Sequence, residues 1–108
     1  MKRGDLVTVA IAGDYGKPRP AVVIQSDWLS GTDSVLVCLV TSDLKDAPLY
    51  RLRLDPTATN ALRAVSEVMV DKVMAVRRER CGPVIGRLGD AEVIALNRMI
   101  ALAVGIAD

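Results

Sequence analysis

The chain contains no histidine. That absence removes the usual general base at neutral pH, the commonest metal ligand, and the Ser-His and Cys-His nucleophile pairs. Any chemistry must be run by Arg, Lys, Asp, Glu, Thr, Ser, Tyr or Cys. Phenylalanine is also missing and aromatics make up 3% of the residues, so only Tyr15, Trp28 and Tyr50 offer a ring on which a nucleic-acid base could stack. The two cysteines, Cys38 in an apolar run and Cys81 in a basic turn, fit no metal spacing and no disulfide scaffold, as expected of a reduced cytoplasmic setting. There is no charge excess either. Fourteen basic residues against thirteen acidic ones give +1, which argues against a nucleic-acid wrapper that works by global charge but leaves room for a local basic site. No cleavable signal and no apolar span of about 18 residues is seen, since Lys2 and Arg3 are followed by Asp5, so no membrane partner is expected.

What the chain does have is aliphatic bulk. Of its 108 residues 51% are hydrophobic, mostly Val, Ala, Leu and Ile, enough for one domain over 1–108 with a real core. Alternation of Leu6/Val7, Val9 and Ile11 with smaller or polar partners predicts a half-buried first strand. Residues 12–17, with two glycines and Asp14, predict a loop. A second strand is expected over 19–26, a turn over 27–34, and a deeply buried third strand over 35–40 that ends at Thr41 and Ser42. In a fourth strand, 49–54, Arg51 and Arg53 point the same way. Residues 66–76 read as one long strand or two short ones broken at Asp71-Lys72, a charged pair that marks either a bulge at a sheet edge or part of a site. A charged turn at 77–83 and a short strand at 84–88 follow.

One strong helix closes the chain. It is predicted over 91–104, with Asp90 as N-cap, Glu92 favourable to the helix dipole and Gly105 as the stop. Its apolar residues, Val93, Ile94, Leu96, Met99, Ile100, Leu102 and Val104, run nearly all round. One face can pack on the sheet; the other calls for a second subunit, hence a two-fold homodimer, unless the protein's own loops cover it. The expected fold is mainly β (α+β): short antiparallel strands in a small, strongly bent sheet or partly open barrel with one C-terminal helix.

The element Gly16-Lys17-Pro18-Arg19-Pro20 stands out. Two prolines fix φ near −65° and push Lys17 and Arg19 into extended conformations, which stiffens the backbone that carries Arg19. A guanidinium held this way suits a phosphate or a carboxylate; the alternative is a solvated turn that Arg19 merely ties down.

With Arg3-Gly4-Asp5-Leu6 at the start of the first strand, Gly16-Lys17-Pro18-Arg19-Pro20-Ala21-Val22-Val23-Ile24, the strand end Thr41-Ser42, Val68-Met69-Val70-Asp71-Lys72 and the Gly86-Arg87-Leu88 transition to the helix, the whole chain resembles the MazF/PemK-type toxins of bacterial toxin-antitoxin pairs. The resemblance implies an SH3-like barrel with a terminal helix (MazF/PemK/CcdB-like) and a homodimer. It also implies sequence-specific, metal-independent cleavage of single-stranded RNA, with no cofactor, by an mRNA interferase that a cognate antitoxin neutralises. By position it makes Arg19, Thr41 and Asp71 the catalytic candidates. Arg19 suits stabilisation of phosphoryl charge better than proton donation, because its pKa exceeds about 12. Thr41 can orient the scissile phosphate, and Asp71 is either the acceptor of the 2′-proton or half of an ion pair. The basic residue that often lies two before that acid is Met69 here, and the first loop has no histidine, so the family's proton-transfer scheme does not carry across whole. RNA recognition would fall to Tyr15, Gly16, Lys17, Trp28 and Ser42, with Arg51, Arg53, Arg77 and Arg78 available to phosphates.

Two other readings stand beside this one: a CcdB-like gyrase-binding toxin, and a non-catalytic interaction module. The gyrase poison depends on a carboxy-terminal Trp-Gly-Ile; here Gly105-Ile106 is present without the tryptophan, and two residues follow.

Overall fold

The computed structural model describes residues 1–11 and 17–107. Six strands form one antiparallel sheet: β1 (Asp5–Ala10), β2 (Pro18–Val23), β3 (Ser34–Thr41), β4 (Arg51–Leu54), β5 (Ser66–Arg77) and β6 (Cys81–Arg87), in the order β4-β5-β3-β2-β1-β6. The helix α1 (Asp90–Ala103) follows. Short 3-10 turns at Asp27–Leu29 and Arg78–Arg80 lie before β3 and β6.

The sheet is bent enough to bury both of its faces. Leu6, Val22, Cys38, Val40, Leu54, Val68 and Val70 form one core, closed by Leu96 of α1. Val7, Val9, Ala21, Val23, Val35, Val37 and Leu39 form the other. Successive side chains of a strand point to opposite faces, so the adjacent Leu6 and Val7 go to different cores. The first strand is therefore buried on both sides, not half-buried as its pattern suggested. Each such side chain, fully buried, contributes about 1.5–3 kcal/mol.

The charged pair in β5 is a bulge. Cys38 pairs with Val73 and Val40 with Val68, so two steps along β3 face five along β5. This resets the phase of the strand. Met69 and Val76, an odd number of residues apart, both reach the second core, while Asp71 and Lys72 are extruded into solvent. β4 pairs only with Ser66–Met69, so the extruded segment lies where β5 has become an edge.

The helix starts one residue before the prediction. Gly89 is its N-cap, and its amide donates to Glu92 Oε1 at 2.8 Å, which leaves Asp90 inside the first turn where its charge still favours the dipole. At the other end Gly105 takes φ +80°. Ile106 N–H donates to the Ala101 carbonyl (2.8 Å) and Gly105 N–H to that of Leu102 (3.1 Å), the paired bonds of a Schellman stop. Leu96 is fully buried and Val93, Ala95, Met99 and Ile100 pack on the core, whereas Ile94, Leu102, Val104 and Ile106 are exposed.

Candidate active site

The two prolines open the sheet where Arg19 stands. β2 pairs with β1 from Pro18 onward, with Arg19 opposite Val9, but with β3 only from Ala21, opposite Leu39. Proline has no N–H to give to a ladder, and at the level of Pro18–Pro20 the β2–β3 seam is unpaired. Carried two residues further, the register sets Arg19 across from Thr41. Both line an open cleft of about 630 Å³ floored by Val40, Leu62 and Ile85. Ser42, Arg63 and Ser66 complete its polar wall.

The electrostatics of this cleft differ from those of its neighbours. Its described lining residues include two arginines and no carboxylate. Other surface clefts carry acids: Asp27 beside Lys2 and Arg78, Asp33 and Glu79 beside Arg77 and Arg78, Asp90 beside Arg3 and Arg87. Thr41 Oγ1 accepts the amide hydrogen of Asp43 at 3.0 Å, which fixes the hydroxyl and leaves its own proton to donate. The arrangement can therefore bind a phosphodiester and stabilise charge on its non-bridging oxygens. Among the described residues its polar groups, two guanidinium groups and hydroxyls, are not the carboxylate and imidazole set that holds a divalent metal.

Cys38 is no nucleophile for this cleft. It belongs to the first core, and its thiol is pushed up to about 11, mainly by burial and in addition by the negative charge of Asp71. Cys81 is also raised by its burial, against the opposing pull of Arg78. Both stay protonated at neutral pH.

The other predicted residues are dispersed. Asp71 is exposed on the β5 bulge and does not line the Arg19–Thr41 cleft. Trp28, 94% exposed on the turn before β3, and Arg77, paired with Ser34, lie at the far end of β3 from Thr41, about 23 Å away along the strand. Arg77 Nε pairs with Glu79 at 3.1 Å. Arg78 is a loop staple: its Nε donates to the Thr32 carbonyl and its Nη2 to that of Leu29 at 3.1 Å. Arg53 and Lys17 are exposed outside the cleft lining. Tyr15 and Gly16 lie outside the described residues.

Arg51 requires a correction. Only 5% exposed, it donates from Nη1 to Glu67 Oε1 at 3.1 Å and to the Asp43 carbonyl at 3.3 Å. Glu67 also accepts the amides of Lys45 and Asp46, at 2.9 and 3.1 Å. The pair anchors the segment after Thr41 and is not available to a phosphate. The amide of Lys45 holds the Glu67 carboxyl below its ordinary value of 4.5; burial opposes this, and the amide of Asp46 and the Arg51 guanidinium add to it.

Arg63 is the cleft residue that sequence reasoning missed. It sits in a polar connection without strand or helix periodicity, and its only local sign is its charge.

A bent antiparallel sheet with one C-terminal helix, carrying an arginine and a threonine across an open cleft, defines a small α+β protein. Residues 2–104 match the family model for the PemK-like, MazF-like toxins of type II toxin-antitoxin systems, and the chain belongs to that family. It is 42% identical over 108 residues, 99% of each chain, to a probable endoribonuclease MazF of Mycolicibacterium smegmatis. The fold matches a mycobacterial endoribonuclease solved in complex with its cognate antitoxin (TM-score 0.83, 16% identity, 100% of this chain and 98% of that one). It also matches MazF in a MazE–MazF complex of Deinococcus radiodurans (TM-score 0.79, 23% identity, 99% and 97%).

Proposed function

We propose that this protein is a sequence-specific, metal-independent endoribonuclease that cuts single-stranded RNA in the Arg19–Thr41 cleft. The observation that carries the reading is the opposition of Arg19 and Thr41 across an open cleft, in a chain 42% identical to a probable endoribonuclease.

In this reaction the substrate's own 2′-oxygen attacks the adjacent phosphorus. The bond from phosphorus to the 5′-oxygen breaks, leaving a 2′,3′-cyclic phosphate and a 5′-hydroxyl. The 2′-proton passes to water and the leaving oxygen takes a proton in return. Arg19 stabilises the charge that grows on the non-bridging oxygens, and Thr41 donates a hydrogen bond that orients the phosphate. Ser42, at the same rim, is placed to contact the sugar or the next phosphate. The stacking of a base on Tyr15 or Trp28 belongs to the same reading, with the surface arginines Arg53 and Arg77 as contacts for distant phosphates, whereas Arg78 is engaged by the Thr32 and Leu29 carbonyls.

In this reading the protein works in the cytoplasm as a homodimer joined through the exposed apolar side of α1. Cleavage of mRNA stops translation and growth, and a cognate antitoxin lays a strand or helix over the cleft and excludes RNA by occupancy. The test is to incubate the purified protein with a long single-stranded RNA in EDTA and map the ends. Cuts within a fixed sequence, each with a 5′-hydroxyl, are expected; intact RNA would overturn the reading.

A further inference from the structure

The connection between β4 and β5 is a shaped loop. At its centre Asn60 is completely buried. Its Oδ1 accepts the amides of Thr57 and Leu62, both at 3.0 Å, its Nδ2 donates to the Asp55 carbonyl at 2.8 Å, and its own amide donates to Thr57 Oγ1 at 3.0 Å. Ala61 then takes φ +57°, a left-handed conformation that a residue other than glycine adopts only when its surroundings enforce it.

The loop is seated on β6 by a missing side chain. A Cβ at Gly86 would stand 2.5 Å from the Asn60 carbonyl oxygen, so only glycine lets the two backbones meet. Arg87 N–H donates to the Thr59 carbonyl at 3.0 Å. On either side of Arg63, Leu62 packs against the first core and the Ala64 carbonyl accepts the Ser66 hydroxyl at 2.9 Å. Arg63 itself is exposed, and among the described residues its guanidinium has no hydrogen-bond or ion-pair partner. A stiff backbone thus holds this cation at the rim of a cleft whose described lining residues include no carboxylate.

We propose that Arg63 is a substrate-binding residue that grips a backbone phosphate next to the scissile one, so that the cleft engages two phosphates, the scissile one through Arg19 and its neighbour through Arg63. The inference rests on the cleft being an RNA site. Arg63 serves affinity and strand placement, while the developing charge of the reaction falls to Arg19.

The experiment measures binding of a 20-nucleotide, random-sequence 2′-O-methyl RNA pool, which cannot be cleaved, as a function of salt for the wild type, Arg63→Gln and Arg63→Lys. Arg63→Gln should weaken binding about tenfold and lower the salt slope by about 0.7. Arg63→Lys should recover the slope, and melting temperatures should not change. With cleavable RNA, Arg63→Gln should raise KM and leave kcat in place. Equal affinity and slope for wild type and Arg63→Gln would overturn the inference while cleavage by both leaves the ribonuclease reading intact. An Arg63-dependent slope in a protein that cuts no RNA would uphold the phosphate grip and overturn the ribonuclease. Absence of binding by the wild type would overturn the grip.

Discussion

Arg19 on β2 and Thr41 on β3 stand opposite each other two residues beyond the last paired rung, Ala21 with Leu39, where the two strands have parted. The gap between them opens onto the cleft that both residues line. Pro18 and Pro20 cannot give an N–H to close it, and those prolines also stiffen the backbone that presents Arg19.

The hydroxyl of Thr41 is oriented by the bond it accepts from Asp43. A hydrogen bond to a charged group is worth about 1.5–3 kcal/mol, so Thr41→Ala should slow single-turnover RNA cleavage about 10- to 100-fold. Thr41→Ser, which keeps the hydroxyl, should retain most of the rate. Equal rates for Thr41→Ala and wild type would remove Thr41 from the mechanism.

Asp71 sits on the extruded bulge of β5, away from the cleft lining. Asp71→Asn should therefore leave the cleavage rate within about threefold of wild type, less than the roughly 10²-fold or more that loss of a general base brings. A larger loss would put the carboxylate back in the reaction.

The buried pair of Arg51 and Glu67 makes stability depend on pH. Glu67 titrates lower in the folded chain than in the unfolded one. Its contribution is thus complete above the ordinary carboxylate value and is lost as pH falls through the folded value. Urea midpoints taken from about pH 6 down to about pH 3 should fall, and Glu67→Gln should flatten that part of the curve. Arg51→Met alone should destabilise, because it leaves a buried carboxylate without its cation, and the double variant should recover part of the loss.

The exposed side of α1 predicts the assembly. Ile94 and Leu102 are two turns apart on one side of the helix, and Val104 and Ile106 extend the apolar surface past its end. Light scattering at micromolar concentration should give twice the 11.6 kDa chain mass, and Ile94→Glu with Leu102→Glu should reduce it to one. A wild-type monomer would overturn the dimer.

The residues whose places could be read from the sequence are those set by local rules. Arg19 is marked by its flanking prolines, Thr41 by the end of an unbroken β-rich run, and Gly105 by the end of the helical pattern. Arg51 and Arg63 could not be placed this way. Alternation puts Arg51 and Arg53 on the same face of β4, but whether each meets solvent depends on the segment over Arg51, which Glu67 fastens from sixteen residues away. Arg63 owes its position to Asn60 and to the contact with Gly86, neither of which has a sequence period. The phase reset in β5 is of the same kind: the charged pair announces an irregularity, and only the pairing with β3 counts the extra residues.

The most direct test of the account is the single-turnover cleavage rate of Arg19→Ala against wild type, on RNA at saturating enzyme with melting temperatures matched. Loss of a preorganised donor to the transition state predicts a rate lower by about 10²- to 10³-fold. Cleavage by Arg19→Ala at the wild-type rate would contradict it.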